Sequence, residues 1–280
     1  MNMGSQKDVM KAGVKEHWER ETCGTRYADT TNRRMYFDEI STARYRLEPL
    51  IPDFAEFQSA AGKIVLEIGV GAGADFENWC RYAGHAEGVD LTDAAIALTS
   101  ERLALTDTPT ERYGLQLADA ESLPFSENSF DVVYSWGVLH HTPDTEAAFA
   151  EAQRVLKPGG ELRCMIYHVR SWTGWMLAAE QLVRTRRFRH LSARKAIYES
   201  LESPGTKAYT CQEAEALAKR AGFSDVKVWT KLSPGDLLTI RPSERYSGRL
   251  FHIVRRLYPR PLIRLLGDRF GLLLLIKASK

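Results

Sequence analysis

Three glycines at alternate positions in Val65-Leu-Glu-Ile-Gly-Val-Gly-Ala-Gly-Ala74 stand where a β-rich run gives way to a helical pattern. Glycine at 69, 71 and 73 lets the backbone turn sharply and approach a ligand with no Cβ in the way. The stretch also fits G-x-G-x-x-A through Gly69, Gly71 and Ala74, the nicotinamide-type fingerprint, so alone it does not choose between cofactors. About twenty residues on, Asp90 ends a second β-rich run, where a carboxylate can accept from both hydroxyls of a ribose. Its competing reading is a charge at the start of the next helix, with Thr92 or Asp93 as the cap. Asp119 follows a third run, in Ala118-Asp-Ala-Glu-Ser-Leu-Pro-Phe125, where an Asx-type turn is the plain alternative. His140 and His141 follow a fourth run. Histidine is the commonest general base near neutral pH, yet a packed or capping histidine fits the same positions.

The elements that must position these residues alternate between two periodicities, the signature of a parallel α/β sheet. Strands are predicted at Ile64–Ile68, Ala86–Asp90, Leu115–Ala118, Phe130–Trp136 and Glu161–His168. Helices are predicted from about Ala74, over Asp93–Leu105, and over Asp144–Leu156, the last stopped by Lys157-Pro-Gly-Gly160. Thr210-Cys-Gln-Glu213 reads as a capping box opening a helix to about Ala221, with Gly222 as its stop. Val226–Lys231 and Gly271–Ala278 complete seven strands.

Composition bounds the function. The chain has 280 residues, 44% apolar and 26% charged, with a formal net charge of +2, an ordinary globular balance without the basic excess of a nucleic-acid binder. The first twenty residues hold no apolar h-region, and the longest aliphatic run, Leu272–Ile276, is far short of the roughly 18 residues of a membrane span. A cytoplasmic location is the expectation. Cys23, Cys80, Cys164 and Cys211 show no CxxC or metal-ligand spacing, so no metal site is expected and all four read as buried, structural thiols.

In order and at ordinary spacing, LEIGVGAG, GVDLT, ADAESLPFSENSFDVVYS, GVLHHTPD and VLKPGGEL cover about residues 63–165. Together they resemble the class I S-adenosylmethionine (SAM)-dependent methyltransferases, in particular the small-molecule branch that includes ubiquinone- and menaquinone-biosynthesis enzymes. HWERETCGTRY and EPLIPDFAEF resemble one bacterial subgroup of that family. The resemblance implies a Rossmann-like seven-stranded sheet with the last strand antiparallel and helices on both faces. It implies SAM as methyl donor, S-adenosylhomocysteine as product, and a small-molecule acceptor. Gly69, Gly71 and Gly73 would pass beneath the methionine and ribose of SAM, with Glu67 oriented toward its amino group. Asp90 would take the ribose hydroxyls and Leu91 the adenine face. Asp119 and the Ala120 N–H would meet the adenine amino edge, and the Ser135 carbonyl the ammonium. Among Tyr27, Tyr36 and Tyr45, the first two are preferred to close over the cofactor. His140 and His141 would lie near the methyl group as candidate catalytic residues.

One decorated domain over 1–280 is expected: an N-terminal helical cap (1–60), a SAM-binding core (61–169), a lid insertion (170–209), a helix and strand six (210–232), a second insertion (233–269) and strand seven (270–280). The cap and the lid should overhang the strands' carboxyl edge. In the insertions, Trp172, Trp175, Met176, Ala179, Leu182 and Val183 form an apolar stripe followed by Arg184, Arg186, Arg187 and Arg189. Leu250, Ile253, Val254 and Leu257 interleave with Arg249, Arg255 and Arg256, and Pro261 opens a short helix ending near Gly267. Packing on the core is the plain reading. A basic amphipathic lid that meets an anionic molecule, or transiently a membrane surface, is the sharper one. Competing functions are a lipid or quinone methyltransferase, a nucleic-acid methyltransferase, a NAD-dependent oxidoreductase and a non-catalytic SAM binder. The stretch after strand four reads SWGV rather than an NPPY-like tetrapeptide, which weighs against nucleic acid; the oxidoreductase leaves Asp119 and a seventh strand unexplained. The motifs encode neither the acceptor atom nor the oligomeric state.

Overall fold

The computed structural model describes residues 3–185, 192–203, 205–240, 256 and 258–280. β1 (Ile64–Ile68), β2 (His85–Asp90) and β3 (Tyr113–Leu117) step outward in one direction, and β4 (Phe130–Trp136) and β5 (Leu156–Tyr167) step outward in the other, all parallel. β7 (Leu273–Ser279) lies antiparallel between β5 and β6 (Ser224–Lys231), so the order is β3-β2-β1-β4-β5-β7-β6. The winding therefore reverses between β1 and β4. That crevice, at the carboxyl ends of the strands, is where an open α/β sheet takes its ligand. The expected seven-stranded sheet with an antiparallel last strand is the observed one.

Local chemistry explains the framework. β1 reads IVLEI and buries four of its five residues, as a central parallel strand covered on both faces requires. Helices α4 (Ala74–Tyr82), α5 (Asp93–Leu105) and α6 (Thr145–Val155) follow β1, β2 and β4, and α9 (Cys211–Arg220) precedes β6. Thr92 and Asp144 accept backbone N–H groups as N-caps of α5 and α6, and both halves of the capping box at Thr210 and Glu213 form. Strand β5 begins five residues earlier than the sequence suggests. The Pro-Gly-Gly segment stops α6 at Val155, but the backbone goes straight on to pair Leu156 with Phe130, and Gly159 at φ +77° absorbs the kink.

The cap is helical: α1 (Met3–Arg20), α2 (Arg33–Leu47) and the short α3 (Ile51–Ala55). Ile51, Phe54 and Phe57 anchor it in the core beside Trp79 and Tyr134. Helix α1 crosses the carboxyl edge of the sheet and is fastened by lysines four residues apart, which share one helical face. Lys7 pairs with Asp144 at 2.7 Å, Lys11 with Asp119 and Glu121 at 2.5 and 2.7 Å, and Lys15 with Asp93 at 3.1 Å. Near the end of α1, Glu19 accepts the Asp93 and Ala94 N–H groups at the start of α5.

The lid contributes α7 (Trp172–Thr185) and α8 (Ala193–Ser200), and the second insertion a short α10 (Arg260–Leu265) with Pro261 in its first turn. Buried Asp236 ties them together, accepting from Thr173, Ser233 and the Leu272 N–H. The expected apolar stripe of α7 does not pack on the core as a unit. Thr173, Gly174 and Ala178 face inward, while Trp175 is 38% and Val183 78% exposed. Small residues win the inward face because α8 and the Asp236 turn approach α7 closely; a Cβ on Gly174 would stand 3.1 Å from Ile197 Cδ1 on α8. Arg186, Arg187 and Arg189, the Arg184 side chain, and the stripe of Arg249, Leu250, Ile253, Val254, Arg255 and Leu257 fall outside the described residues. Among the described residues no helix is long and apolar enough to cross a membrane.

Candidate active site

The glycine-rich turn sits over the β1–β4 crevice, and its three glycines answer three different demands. All have positive φ. A Cβ on Gly69 would stand 2.2 Å from Val138 Cγ2, and one on Gly73 2.9 Å from Thr99 Oγ1. Gly69 and Gly73 are required for close packing against the post-β4 loop and α5. Gly71 is different, since its added Cβ would meet only Cys23 Cβ, at 3.8 Å. It faces open space, and it is the glycine of the cradle.

The loop is held from behind by residues that local motif reading missed. Thr99 Oγ1 donates to the Gly71 carbonyl at 3.0 Å, and the buried Arg102 donates through Nε to the Ala72 carbonyl at 2.7 Å. Arg102 also reaches Ser41, Glu77 and the Phe37 carbonyl, which joins the loop to α2 and α4. Below the loop, Asp75 accepts from Arg44 in a two-point contact, from Tyr45 Oη at 3.0 Å and from Tyr134 Oη at 2.7 Å. Burial works against its charge, but the Arg44 guanidinium and the hydroxyl donors hold this carboxyl below the usual range. Asp75 and Arg44 lie 31 residues apart, so no spacing rule pairs them.

Glu67 is the exception in this floor. It is 3% exposed, and its Oε2 has no hydrogen-bond partner. Burial, and next the Asp75 charge, push it well above the ordinary carboxylate range. An unsatisfied buried oxygen costs about 1–3 kcal/mol, so the site stores an acceptor for a donor or cation that the chain does not itself supply. At the edge of the cradle, Asp90 Oδ2 accepts the Gly71 N–H at 3.1 Å, and Oδ1 accepts from Thr92 at 2.8 and 3.0 Å. The Asp90 carboxyl is raised, chiefly by burial. Open cradle, orphaned Glu67 and ribose-type carboxylate together suit a nucleoside whose attached amino acid brings an ammonium group.

Asp119 forms the Asx-type turn. Its Oδ1 accepts the Glu121 N–H at 2.9 Å as an Asx turn, while Oδ2 faces outward and is taken by Lys11. Ala120 is buried beside it, and Leu91 is half-buried after Asp90. Ser135 is fully buried, its hydroxyl donating to the Ile68 carbonyl and tying β4 to β1 at the crevice. Tyr27 and Tyr36 stand elsewhere. Tyr27 accepts from Arg26 and lines a groove with Met35, Asp38 and Arg46, while Tyr36 packs on Phe37 under Arg33. The tyrosine that reaches the loop is Tyr45, through the Ala74 carbonyl at 3.0 Å.

The two histidines differ sharply. His140 is fully buried, neither ring nitrogen has a partner, and it stacks on Tyr167 and His141 with ring centres 4.3 and 4.2 Å apart. Burial and the His141 charge hold it well below the ordinary histidine range, so it is neutral at pH 7. His141 is gripped by the lid: Ser203 and Thr206 hydroxyls lie 2.8 and 3.1 Å from Nδ1, and Glu202 Oε2 lies 3.3 Å from Nε2. Trp18 of α1 meets its ring edge-on at 5.5 Å. Trp18 of α1 and Glu202, Ser203 and Thr206 of the 170–209 insertion therefore all meet His141. Cys23 also departs from its expected structural role, being exposed beside the cradle, whereas Cys80 and Cys164 are buried free thiols.

Comparison with known proteins agrees with this geometry. Residues 66–164 match the family model described as a methyltransferase domain. Phosphoethanolamine N-methyltransferase 2 of Caenorhabditis elegans is 34% identical over 119 residues, 42% of this chain and 26% of the relative. Ubiquinone biosynthesis O-methyltransferase of Hydrogenovibrio crunogenus is 30% identical over 119 residues, again 42% of this chain and 48% of the relative. The chain thus spans about a quarter and about half of these relatives' own lengths. Geranyl diphosphate C-methyltransferase from Streptomyces coelicolor, solved with S-adenosyl-L-homocysteine, superposes with a TM-score of 0.63 over 96% of this chain and 97% of that one. At 14% identity that likeness shows the fold. Domain match and sheet order converge: residues 66–164 match a methyltransferase domain, set in a seven-stranded sheet with its last strand antiparallel.

Proposed function

We propose that this chain transfers the methyl group of SAM to a small-molecule acceptor by in-line displacement. The observation that carries the reading is the open Gly71 cradle between Asp90 and the unpartnered Glu67. When bound, SAM supplies a methyl group made electrophilic by the sulfonium it sits on. Glu67 and the Ser135 carbonyl orient the ammonium end, Asp90 holds the ribose hydroxyls, and Leu91 packs on the adenine face. Asp119 and the Ala120 N–H receive the adenine edge once Lys11 shares or releases the carboxylate. Such a displacement runs largely on positioning and exclusion of water, which α1 and the lid supply by roofing the crevice. Of the two histidines, His141 has the partner set to pass a proton, through Glu202, whereas His140 serves as neutral packing. A roofed pocket fits a small molecule better than a polymer, which needs an open groove.

Incubating the protein with methyl-labelled SAM and a bacterial extract tests this, with label counted in small-molecule, lipid and macromolecular fractions. Label in the small-molecule fraction, lost in Asp90→Ala, is the expected result. Label confined to nucleic acid or protein, or none despite S-adenosylhomocysteine binding, overturns it.

A cytoplasmic setting belongs to the same proposal and is supported by four free thiols. So does transient contact with an anionic membrane surface. Trp175, Leu262, Leu265 and Leu266 are exposed near Arg264 and Arg269, and Trp175 packs on Phe270, just past the second insertion. Sedimentation with anionic vesicles at low salt checks it, and absence of binding removes it.

A further inference from the structure

Helix α1 consists of two segments held in different ways, and they meet at Gly13. C-terminal to it, Val14 is buried, Trp18 meets the His141 ring, and Glu19 accepts two N–H groups at the start of α5. N-terminal to it the ion pairs dominate: Lys7 on Asp144, with side chains 54% and 32% exposed, and Lys11 on Asp119 and Glu121. Met10 adds a contact with the lid, since a Cβ on Gly205 would stand 2.8 Å from Met10 Cε. Gly13 has no packing reason of its own. A Cβ there would meet nothing within 4 Å, and its backbone is helical, so neither space nor conformation requires glycine. Glycine inside a helix costs about 1 kcal/mol relative to alanine. The helix thus carries a weak point where its two modes of attachment meet.

The N-terminal segment covers the carboxylate given above to the adenine edge. Asp119 Oδ1 is taken by the Glu121 N–H at 2.9 Å, and Oδ2 by Lys11 at 2.5 Å. Glu121 is filled as well, its Oε2 by Lys11 at 2.7 Å and its Oε1 by the Asp144 N–H at 2.6 Å. An exocyclic amino group and an ammonium are both donors, and here they seek the same oxygen. The charged donor makes the stronger hydrogen bond to a carboxylate, so Lys11 prevails over a neutral amino group while α1 is docked. Lys7, one turn earlier, holds the same segment to Asp144, the N-cap of α6.

We propose that residues 3–12 of α1 are an autoinhibitory strap. Docked, the strap places Lys11 on the Asp119 oxygen that the adenine amino group requires. Cofactor binding displaces it about Gly13, while Trp18 and Glu19 keep the rest of α1 over the crevice. The inference rests on the methyltransferase reading and on the place of Asp119 in it. Because the competent state is the undocked one, apparent cofactor affinity is reduced by the undocked fraction. The coupling is reciprocal: whatever tightens the strap weakens the cofactor, and the cofactor loosens the strap. A helix that simply closed over bound SAM would have the opposite sign in both respects.

Calorimetry with S-adenosylhomocysteine and hydrogen exchange, both on the full chain, read those signs. Lys11→Met should bind S-adenosylhomocysteine about fivefold more tightly than wild type. Gly13→Ala, which stiffens the docked helix, should bind it about threefold more weakly. Amides of residues 6–12 should exchange faster once S-adenosylhomocysteine is bound, while those of 17–20 stay protected. Weaker or unchanged binding by Lys11→Met, or slower exchange at 6–12 on binding, overturns the strap. In the Lys11→Met background, where the strap no longer competes, Asp119→Ala should weaken binding. No effect there removes Asp119 from the adenine edge, and the strap with it, while leaving the methyltransferase reading intact. Absence of binding in wild type and Lys11→Met alike overturns the methyltransferase reading itself.

Discussion

The floor and the roof of the crevice are built on opposite principles. In the floor, Asp75, Arg44, Tyr45, Tyr134 and Asn78 satisfy one another, and Glu67 alone is left with a bare oxygen. In the roof, the His140 ring nitrogens have no hydrogen-bond partner, His141 Nε2 only approaches Glu202 at 3.3 Å, and Glu48 lies 3.8 Å from Arg44. A closed polar network makes a rigid platform, because each member would be costly to leave unpaired. An open one keeps its capacity for a visitor. The difference shows where the molecule spends its polar groups on shape and where on chemistry.

The sharpest way to break this contrast is Asp75→Ala. It strands the Arg44 guanidinium in the interior and should lower stability by about 3–5 kcal/mol in denaturant unfolding, whereas Glu202→Gln should cost less than about 1 kcal/mol. Comparable losses for the two would erase the distinction. Next is Asp90→Ala, which should weaken S-adenosylhomocysteine by roughly 30-fold, about 2 kcal/mol, in calorimetry on a protein that still folds.

The glycines divide along the same line. Gly69→Ala drives a methyl into Val138 and should lower stability by about 2 kcal/mol or more. Gly71→Ala carries only the positive-φ cost of about 1 kcal/mol but should reduce cofactor affinity, since its methyl enters the cradle. The smallest effect concerns pH. Glu48 is raised from an ordinary 4.5 to about 7 in the folded chain, so the fold binds its proton more tightly than the unfolded chain does. That stabilisation is full below about pH 4.5 and is lost as pH rises toward 7. Wild type should therefore lose stability relative to Glu48→Gln across that window; parallel curves would show Glu48 to be freely solvated.

Much of the frame was legible because it is local. Glycine spacing, the Thr210 capping box and the alternating periodicities each act within a dozen residues, and β1, β4 and α5 fall where the pattern puts them. Asp90 was legible too, since strand end and loop fix its place. What escaped was long-range: Arg102 on the loop carbonyl, Arg44 on Asp75, and Tyr45 on the Ala74 carbonyl. Helix α7 misled for a physical reason. Hydrophobicity marks which residues could be buried, but the closeness of α8 selected the small ones, and Trp175 was left outside. Cys23 escaped because its loop leaves it exposed, a condition composition does not record.

The row of lysines on α1 has one more consequence. Lys7, Lys11 and Lys15 hold the helix to three separate loops through pairs that are exposed or half-buried, and such pairs are weak and further weakened by dissolved ions. The helix is thus a zip fastened by weak teeth rather than a weld. Its middle tooth sits on Asp119, so product departure and reloading should quicken as ionic strength rises, making salt a throttle on turnover even where it leaves the bond-making step untouched.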